Sequence, residues 1–319
     1  MNATYGTLQN FIPVTDIVAR EFIVENCLKI AKSVDFNDYF GDVAPNELKQ
    51  LIIYDRGITM VFPESRYADY EVNFNVERQK THFVTYGNEK FVKSLTRICK
   101  EARESGFFDG SIFGYSKLDK EFTDRFKSIL ERSRGGGYWI WKPYLIQKAL
   151  ESIAEDDILV YCDAGCTINK QGKSKLENIY KKIVNESKYG IIGFDLVIHK
   201  EAEWTNEKLF EYFGISKSDE RNRQSSQLMA SIIIMRKCQH SKLLVKEWLD
   251  ALYFDPELFT DTYNEYQVSP KFNDHRHDQS VFSILRKLRG CEIINDDTYA
   301  RYDWSTLADT PFQTTRIRE

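Results

Sequence analysis

Asp157-Ile-Leu-Val-Tyr-Cys-Asp-Ala-Gly165 is an unbroken apolar run with an aspartate on either side and a glycine just beyond. It is too short for a helix and rich in β-branched and aromatic residues, which predicts a strand over 157–162 buried on both faces. Upstream, Tyr138 to Ile153 has helical spacing, with Pro143 tolerated only near its start, and Gly135-Gly-Gly137 breaks the chain before it. Phe122 to Leu130 is a further helix and Ser111-Ile-Phe-Gly114 a second strand. Phe91, Leu95, Ile98, Cys99 and Ala102 mark a helix closed by Gly106, and Thr81-His-Phe-Val-Thr-Tyr86 is a strand ended by Gly87-Asn88. Downstream, strands are expected at Gly190–Phe194 and Ala230–Met235, and helices at Leu243–Tyr253 and Asp278–Leu288. This order predicts an α/β fold: one mixed, largely parallel Rossmann-type sheet flanked by helices, within a single domain over 81–319. Residues 1–80 are expected to form an N-terminal extension packed on that domain. Within it, Ile17–Lys32 has helical spacing, and Leu51–Tyr54 and Ile58–Phe62 read as a hairpin around Asp55-Arg-Gly57.

The 319 residues are 42% hydrophobic and 29% charged, which excludes a disordered or fibrous chain. With 44 Lys+Arg against 48 Asp+Glu the net charge is −4, so general binding to a nucleic-acid backbone is not expected. Aromatics reach 14%, enough for a large core or for stacking on sugars and bases. The six cysteines are scattered, and Cys162 and Cys166 have no second pair to complete a metal spacing, so free thiols in a reducing compartment are expected. The N-terminus lacks a basic region followed by an apolar run, and nothing approaches the ~20 apolar residues of a membrane span. A cytoplasmic protein without an integral membrane segment is the expectation.

Asp163 stands at the carboxyl end of the buried strand, where open α/β sheets bind ligands. A carboxylate there must be solvated, paired or bound to a cation. Gly165 lets a ligand approach the backbone. Arg134-Gly-Gly-Gly-Tyr-Trp-Ile-Trp-Lys-Pro143 combines glycines before a helix, which can offer N–H groups to phosphate, with Arg134, Lys142 and the stacking faces of Tyr138, Trp139 and Trp141. It is not a Walker motif. Asp274-His-Arg-His-Asp-Gln-Ser280 gathers two histidines, an arginine and two carboxylates; in an extended backbone His275 and His277 share a face suited to a metal or a diphosphate. Glu201-Ala-Glu-Trp-Thr205 and the polar run Arg221–Gln227 could receive a hydroxylated acceptor.

Thr85-Tyr-Gly87, the Gly-rich Tyr-Trp element, Tyr161-Cys-Asp-Ala-Gly165 and His277-Asp-Gln-Ser-Val-Phe-Ser283 together resemble nucleotide-sugar glycosyltransferases of the GT-A fold, in particular bacterial and large-DNA-virus enzymes. The likeness spans roughly residues 81–290. It implies transfer of a sugar from a nucleoside-diphosphate donor, UDP-sugar favoured, to a hydroxyl of a glycan or other acceptor, as in polysaccharide biosynthesis. Thr85, Tyr86 and Gly87 would then lie beside the base and ribose, with Tyr138, Ala164 and Gly165 also on the donor. Arg134 and Lys142 would hold the diphosphate. Asp163 would stand for the family's Asp-x-Asp, whose carboxylates bind Mn²⁺ or Mg²⁺. Asp278 and Gln279 would act at the reacting centre, and Trp204 and Gln227 would face acceptor or sugar. Position 165 is Gly where the motif has its second Asp, so either His277 completes a metal site or Arg134 and Lys142 neutralise the diphosphate. Two rival readings are a non-catalytic sugar- or nucleotide-binding module and a metal-dependent phosphoester hydrolase built on His275, His277, Asp278 and Asp163.

Overall fold

A computed structural model of the chain describes all residues except 25–26, 56–57, 66, 74–78, 301–302 and 319. The chain divides into two compact units, Met1–Arg78 and Gln79–Glu319.

In the second unit, strands β1 (Thr81–Tyr86), β2 (Ile112–Tyr115) and β3 (Ile158–Cys162) are parallel neighbours in the order β2-β1-β3. Strand β4 (Ile192–Lys200) lies between β5 (Ser226–Leu228), antiparallel to it, and β7 (Glu292–Asn295), parallel to it. Strand β6 (Ile232–Arg236) adds antiparallel to β3. A bridge between Ile191 and Met235 carries the sheet from β6 into the β4 group, so the sheet is mixed, as the sequence suggested.

Strict alternation along the strands fills both faces, because successive side chains point to opposite sides. Val84, Leu159, Tyr161, Ile233 and Met235 pack into a core with helices α2 (Trp141–Glu151), α3 (Gln239–Phe254) and α4 (Asp278–Arg289). Phe83, Ile158, Val160, Cys162, Ile232 and Ile234 fill the opposite core with Ile98 and Ala102 of α1 (Val92–Ser105). Helix α1 ends on Gly106 in the left-handed region at φ 68°, as its sequence position predicts. Trp248 of α3 stacks on Phe282 of α4 with ring centroids 4.0 Å apart. The starts of β1 and β3 are tied by Asp157, which accepts the Lys80 N–H at 2.8 Å and meets His82 Nε2 at 2.9 Å.

The first unit has its own core around Tyr5, Phe22, Phe36, Phe40, Leu51 and Ile53. Residues 50–55 and 58–63 pair antiparallel with Asp55 opposite Ile58, the expected hairpin; its Arg56-Gly57 lies outside the described residues. The helix expected over 17–32 is corrected: it spans only Thr15–Glu21, and Ile23–Val24 and Cys27–Ile30 are strands. Ile23 and Val24 are β-branched, and Cys27–Ile30 finds backbone partners in residues 70–73, so tertiary pairing overrides the helical spacing.

Candidate functional site

Because β1 and β3 run in the same direction, their carboxyl ends at Tyr86 and Cys162 open together. Beyond them lies a cleft of about 730 Å³. Its lining takes in Tyr86 and Gly87 after β1, Asp163, Ala164 and Gly165 after β3, and Arg134 and Lys142 at the approach to α2. Trp204 and the start of α4 (His277, Asp278 and Gln279) complete it. Residues almost 200 positions apart in sequence thus converge at the sheet's switch region.

At the floor is Lys142, only 2% exposed. Its ammonium lies 2.6 Å from Asp278 Oδ2 and 3.1 Å from Asp163 Oδ1, and donates to the Ala230 carbonyl at 3.1 Å. Burial works against its charge, but the two carboxylates outweigh burial and raise its pKa. Asp163 Oδ1 also accepts the Tyr161 hydroxyl at 2.5 Å, and the Asp163 N–H donates to Ser231. Arg97 holds the turn after β3, donating to the Ala164 and Cys166 carbonyls at 2.9 and 2.8 Å. Asp278 is the first residue of α4, where the helix dipole favours an anion. Burial nevertheless pushes its pKa up to about 6, with Lys142 opposing and Asp163 reinforcing the shift. The carboxyl is therefore poised to exchange a proton near neutral pH. Gln279 donates from Nε2 to Gln227 Oε1 at 2.8 Å, which fixes its carboxamide beside Asp278.

The glycine-rich element forms an unusual turn. Gly135, Gly136, Gly137, Tyr138 and Trp139 have φ of 57°, 60°, 92°, 56° and 57°, five successive residues in the left-handed region. Glycine adopts it freely; Tyr138 and Trp139 do so at a cost of about 1–2 kcal/mol each. The Tyr138 and Trp139 rings lie 5.0 and 5.5 Å from the His277 ring, and the Tyr138 hydroxyl donates to Asp261 at 2.8 Å, contacts that offset the strain. Two of the three glycine N–H groups expected to cradle phosphate are turned inward here. The Gly136 and Gly137 N–H groups donate to Ser133, Arg132 and Arg134 carbonyls and so are used inside the turn.

Asp261, which the sequence did not single out, is the hub of this wall. It accepts both Arg134 Nη1 contacts at 3.0 Å, the Tyr138 hydroxyl, and a contact from His277 Nε2 at 3.0 Å. Burial pushes its pKa up, but these partners prevail and lower it. Burial lowers the His277 pKa against the opposing pull of this carboxylate, which its Nε2 meets. Arg134 is also clasped by Asp274.

Several expected roles change. Thr85 and Gln227 are fully buried and do not line the cleft. Gln227 donates to Glu201, Trp204, Thr205 and Ser280, so it braces Gln279 instead of facing an acceptor. Tyr138 turns its hydroxyl to Asp261 and supports the wall from behind. His275 uses both ring nitrogens internally, accepting the Asn206 N–H and facing the Leu258 carbonyl, and burial lowers its pKa to about 3. Glu201 is paired with Lys287 at 2.6 Å and Arg223 with Glu207, both inside the protein, so these two side chains do not reach out to an acceptor. Trp204 does reach the cleft, with the Arg276 guanidinium 4.1 Å above its ring.

The residues do not fit a divalent cation. Asp163 is engaged by Lys142 and Tyr161, and His277 by Asp261. Among the described residues no three His, Cys, Asp or Glu side chains form a ligand set. At position 165 a Cβ would stand 3.3 Å from the Ile317 carbonyl oxygen and 3.4 Å from Arg316 Cα. The segment 314–318 crosses there, close enough that a side chain at 165 would shift it by a few tenths of an ångström. Arg316 and Arg318 of that segment line the cleft and were not anticipated. In all, five cationic side chains (Arg134, Lys142, Arg276, Arg316, Arg318) face three acidic ones (Asp163, Asp274, Asp278), so the cleft is locally positive on an acidic protein.

No protein-family model matches the chain, and none of the curated protein sequences does. Among solved structures, a glycosyltransferase involved in the glycosylation of the major capsid of PBCV-1 is similar at 13% identity and TM-score 0.41, over 73% of this chain and 92% of that one. The galactosyltransferase LgtC is similar at 12% identity and TM-score 0.37, over 73% and 86%. The glycosyltransferase GlyE of Streptococcus pneumoniae TIGR4 is similar at 9% identity and TM-score 0.37, over 70% of this chain and 46% of its own length. Among the described residues no helix is long and apolar enough to cross a membrane.

Proposed function

We propose that the cleft binds a nucleoside-diphosphate sugar and that the protein transfers its glycosyl group to a hydroxyl of a glycan or similar acceptor. The observation that carries this reading is the buried Lys142 ammonium clasped between Asp163 and Asp278 at the floor of an aromatic, locally positive cleft. In glycosyl transfer the bond from the anomeric carbon to the diphosphate oxygen breaks, and its electron pair leaves with the phosphate. A new bond forms to the acceptor oxygen, which loses its proton. The cleft offers cations for the leaving charge and carboxylates for the positive charge at carbon or for the proton. Asp278, held near neutral pKa, is the group we assign to that second task. Tyr86, Phe91 and Trp139 give faces for base and ribose. UDP is the favoured nucleotide, with GDP the main competitor.

The test is thermal-shift screening against UDP, GDP, CMP and dTDP, followed by a transfer assay with the sugar nucleotides of whichever nucleotide binds. Asp278→Asn is expected to cut turnover by on the order of 100-fold or more while leaving nucleotide affinity within about threefold. Binding by the wild-type protein with no turnover for any acceptor would favour the binding-module reading instead. The hydrolase reading has less support, because His275 and His277 are both engaged inside the protein.

A further inference from the structure

Arg134 and Lys142, the cations the sequence offered for a diphosphate, are already clasped by Asp261, Asp274, Asp163 and Asp278. Arg276, Arg316 and Arg318 line the same cleft, and among the described residues no carboxylate is ion-paired with any of them. Arg276 lies over Trp204 and Arg316 over Tyr299, at 4.1 and 5.7 Å from the ring centroids. Burial and the neighbouring Arg316 both disfavour the charge on Arg276. Asp274 offsets this only in part, and like charges gathered at a cleft without a salt-bridge partner are relieved by an anionic ligand.

The segment that brings Arg316 and Arg318 is fixed to the site's own turn. The Ile317 N–H and the Thr315 hydroxyl donate to the Gly165 carbonyl at 2.8 and 3.0 Å, and the Ser94 hydroxyl donates to the Ile317 carbonyl at 3.3 Å. Just before it, residues 312–313 pair antiparallel with 167–168. The arginines are thus placed directly beside Asp163-Ala-Gly165.

We infer that Arg276, Arg316 and Arg318 grip the diphosphate of the donor in place of a divalent cation, with the Lys142 ammonium occupying the cation position between the two carboxylates. Guanidinium groups suit this task, since their planar forks bind phosphate oxygens in pairs and stay charged throughout the reaction. When the glycosyl bond breaks, these fixed charges offset the negative charge left on the diphosphate. The inference rests on the nucleoside-diphosphate reading above.

Isothermal titration of UDP, GDP, dTDP and inorganic pyrophosphate tests it, first in EDTA and then in excess Mn²⁺ or Mg²⁺. The expected result is at least one nucleoside diphosphate binding in EDTA, with affinity changed less than about threefold by metal. Arg316→Gln and Arg318→Gln are each expected to weaken binding by on the order of 10- to 100-fold, the scale of a charge-assisted hydrogen bond. Arg316→Lys, which keeps charge but not the fork, is expected to recover only part. Binding that appears only with metal, or that ignores both glutamine variants, overturns the inference and leaves the function standing. Pyrophosphate binding in EDTA that needs Arg316 and Arg318, with no nucleotide bound, keeps the anion grip and removes the sugar-nucleotide reading. Failure of every ligand under every condition removes both.

Discussion

Replacing Lys142 by methionine keeps the bulk of the side chain and removes its charge. Two carboxylates then face each other in a buried site, since the ammonium between them is gone. The Asp278 carboxyl escapes by keeping its proton. In the wild-type protein it gives up that proton near pH 6. Above that pH the variant's Asp278 carries in the native state a proton that its unfolded chain lacks, whereas in the wild type neither state carries it. The variant thus loses stability relative to wild type as pH rises, by about 1.4 kcal/mol per unit. Because the wild-type carboxyl is itself half protonated at pH 6, the increment between pH 6 and pH 8 is about 2.3 kcal/mol. A further loss of about 1–3 kcal/mol, independent of pH, comes from the unsatisfied Ala230 carbonyl and the unpaired Asp163. Urea unfolding of both proteins at pH 6 and pH 8 gives the two terms separately. A destabilisation that is equal at the two pH values, to within about 0.5 kcal/mol, would refute the reasoning, because the carboxylates would then not depend on the ammonium.

Asp261→Asn keeps the shape of the hub but removes the charge that holds Arg134, Tyr138 and His277, so turnover should fall by on the order of 10- to 100-fold through misplacement of the wall, read as kcat/KM. In the left-handed turn, Gly136→Ala should cost only about 1 kcal/mol, since its Cβ meets nothing closer than the Asn88 amide at 3.2 Å. Gly137→Ala should cost clearly more, at least about 2 kcal/mol in urea unfolding, because φ is 92° and the Cβ would stand 2.6 Å from Leu130 Cα; equal costs would remove the steric argument.

The parts of the fold that sequence shows are those where burial writes a period. Residues 158–162 and 232–235 are continuous apolar runs, and α1 and α4 carry apolar residues at helical spacing, so each was placed to within a few residues. Cys27–Ile30 failed because its pattern fits a helix face equally well, and only its pairing with residues 70–73 decides. In the site, Asp163 was singled out by its place at a strand end, where a carboxylate is costly unless paired, and Lys142 and Asp278 by the charged and aromatic motifs around them. Asp261, Arg316 and Arg318 were not. They sit in irregular segments whose positions come from distant hydrogen bonds, such as those of residues 315 and 317 to Gly165, and no local period announces such a contact. Gln227 misled for the same reason in reverse: a polar residue in a polar run turned out to be fully buried.

The crossing of segment 314–318 over Gly165 makes two distant stretches of chain mechanically dependent on each other. A carboxylate arriving at position 165 would push against the Arg316–Ile317 backbone and set its charge beside a carbonyl oxygen. Moving the segment first would carry Arg316 and Arg318 away from the cleft they line. Position 165 and residues 314–318 should therefore drift as one unit, although about 150 residues of chain separate them.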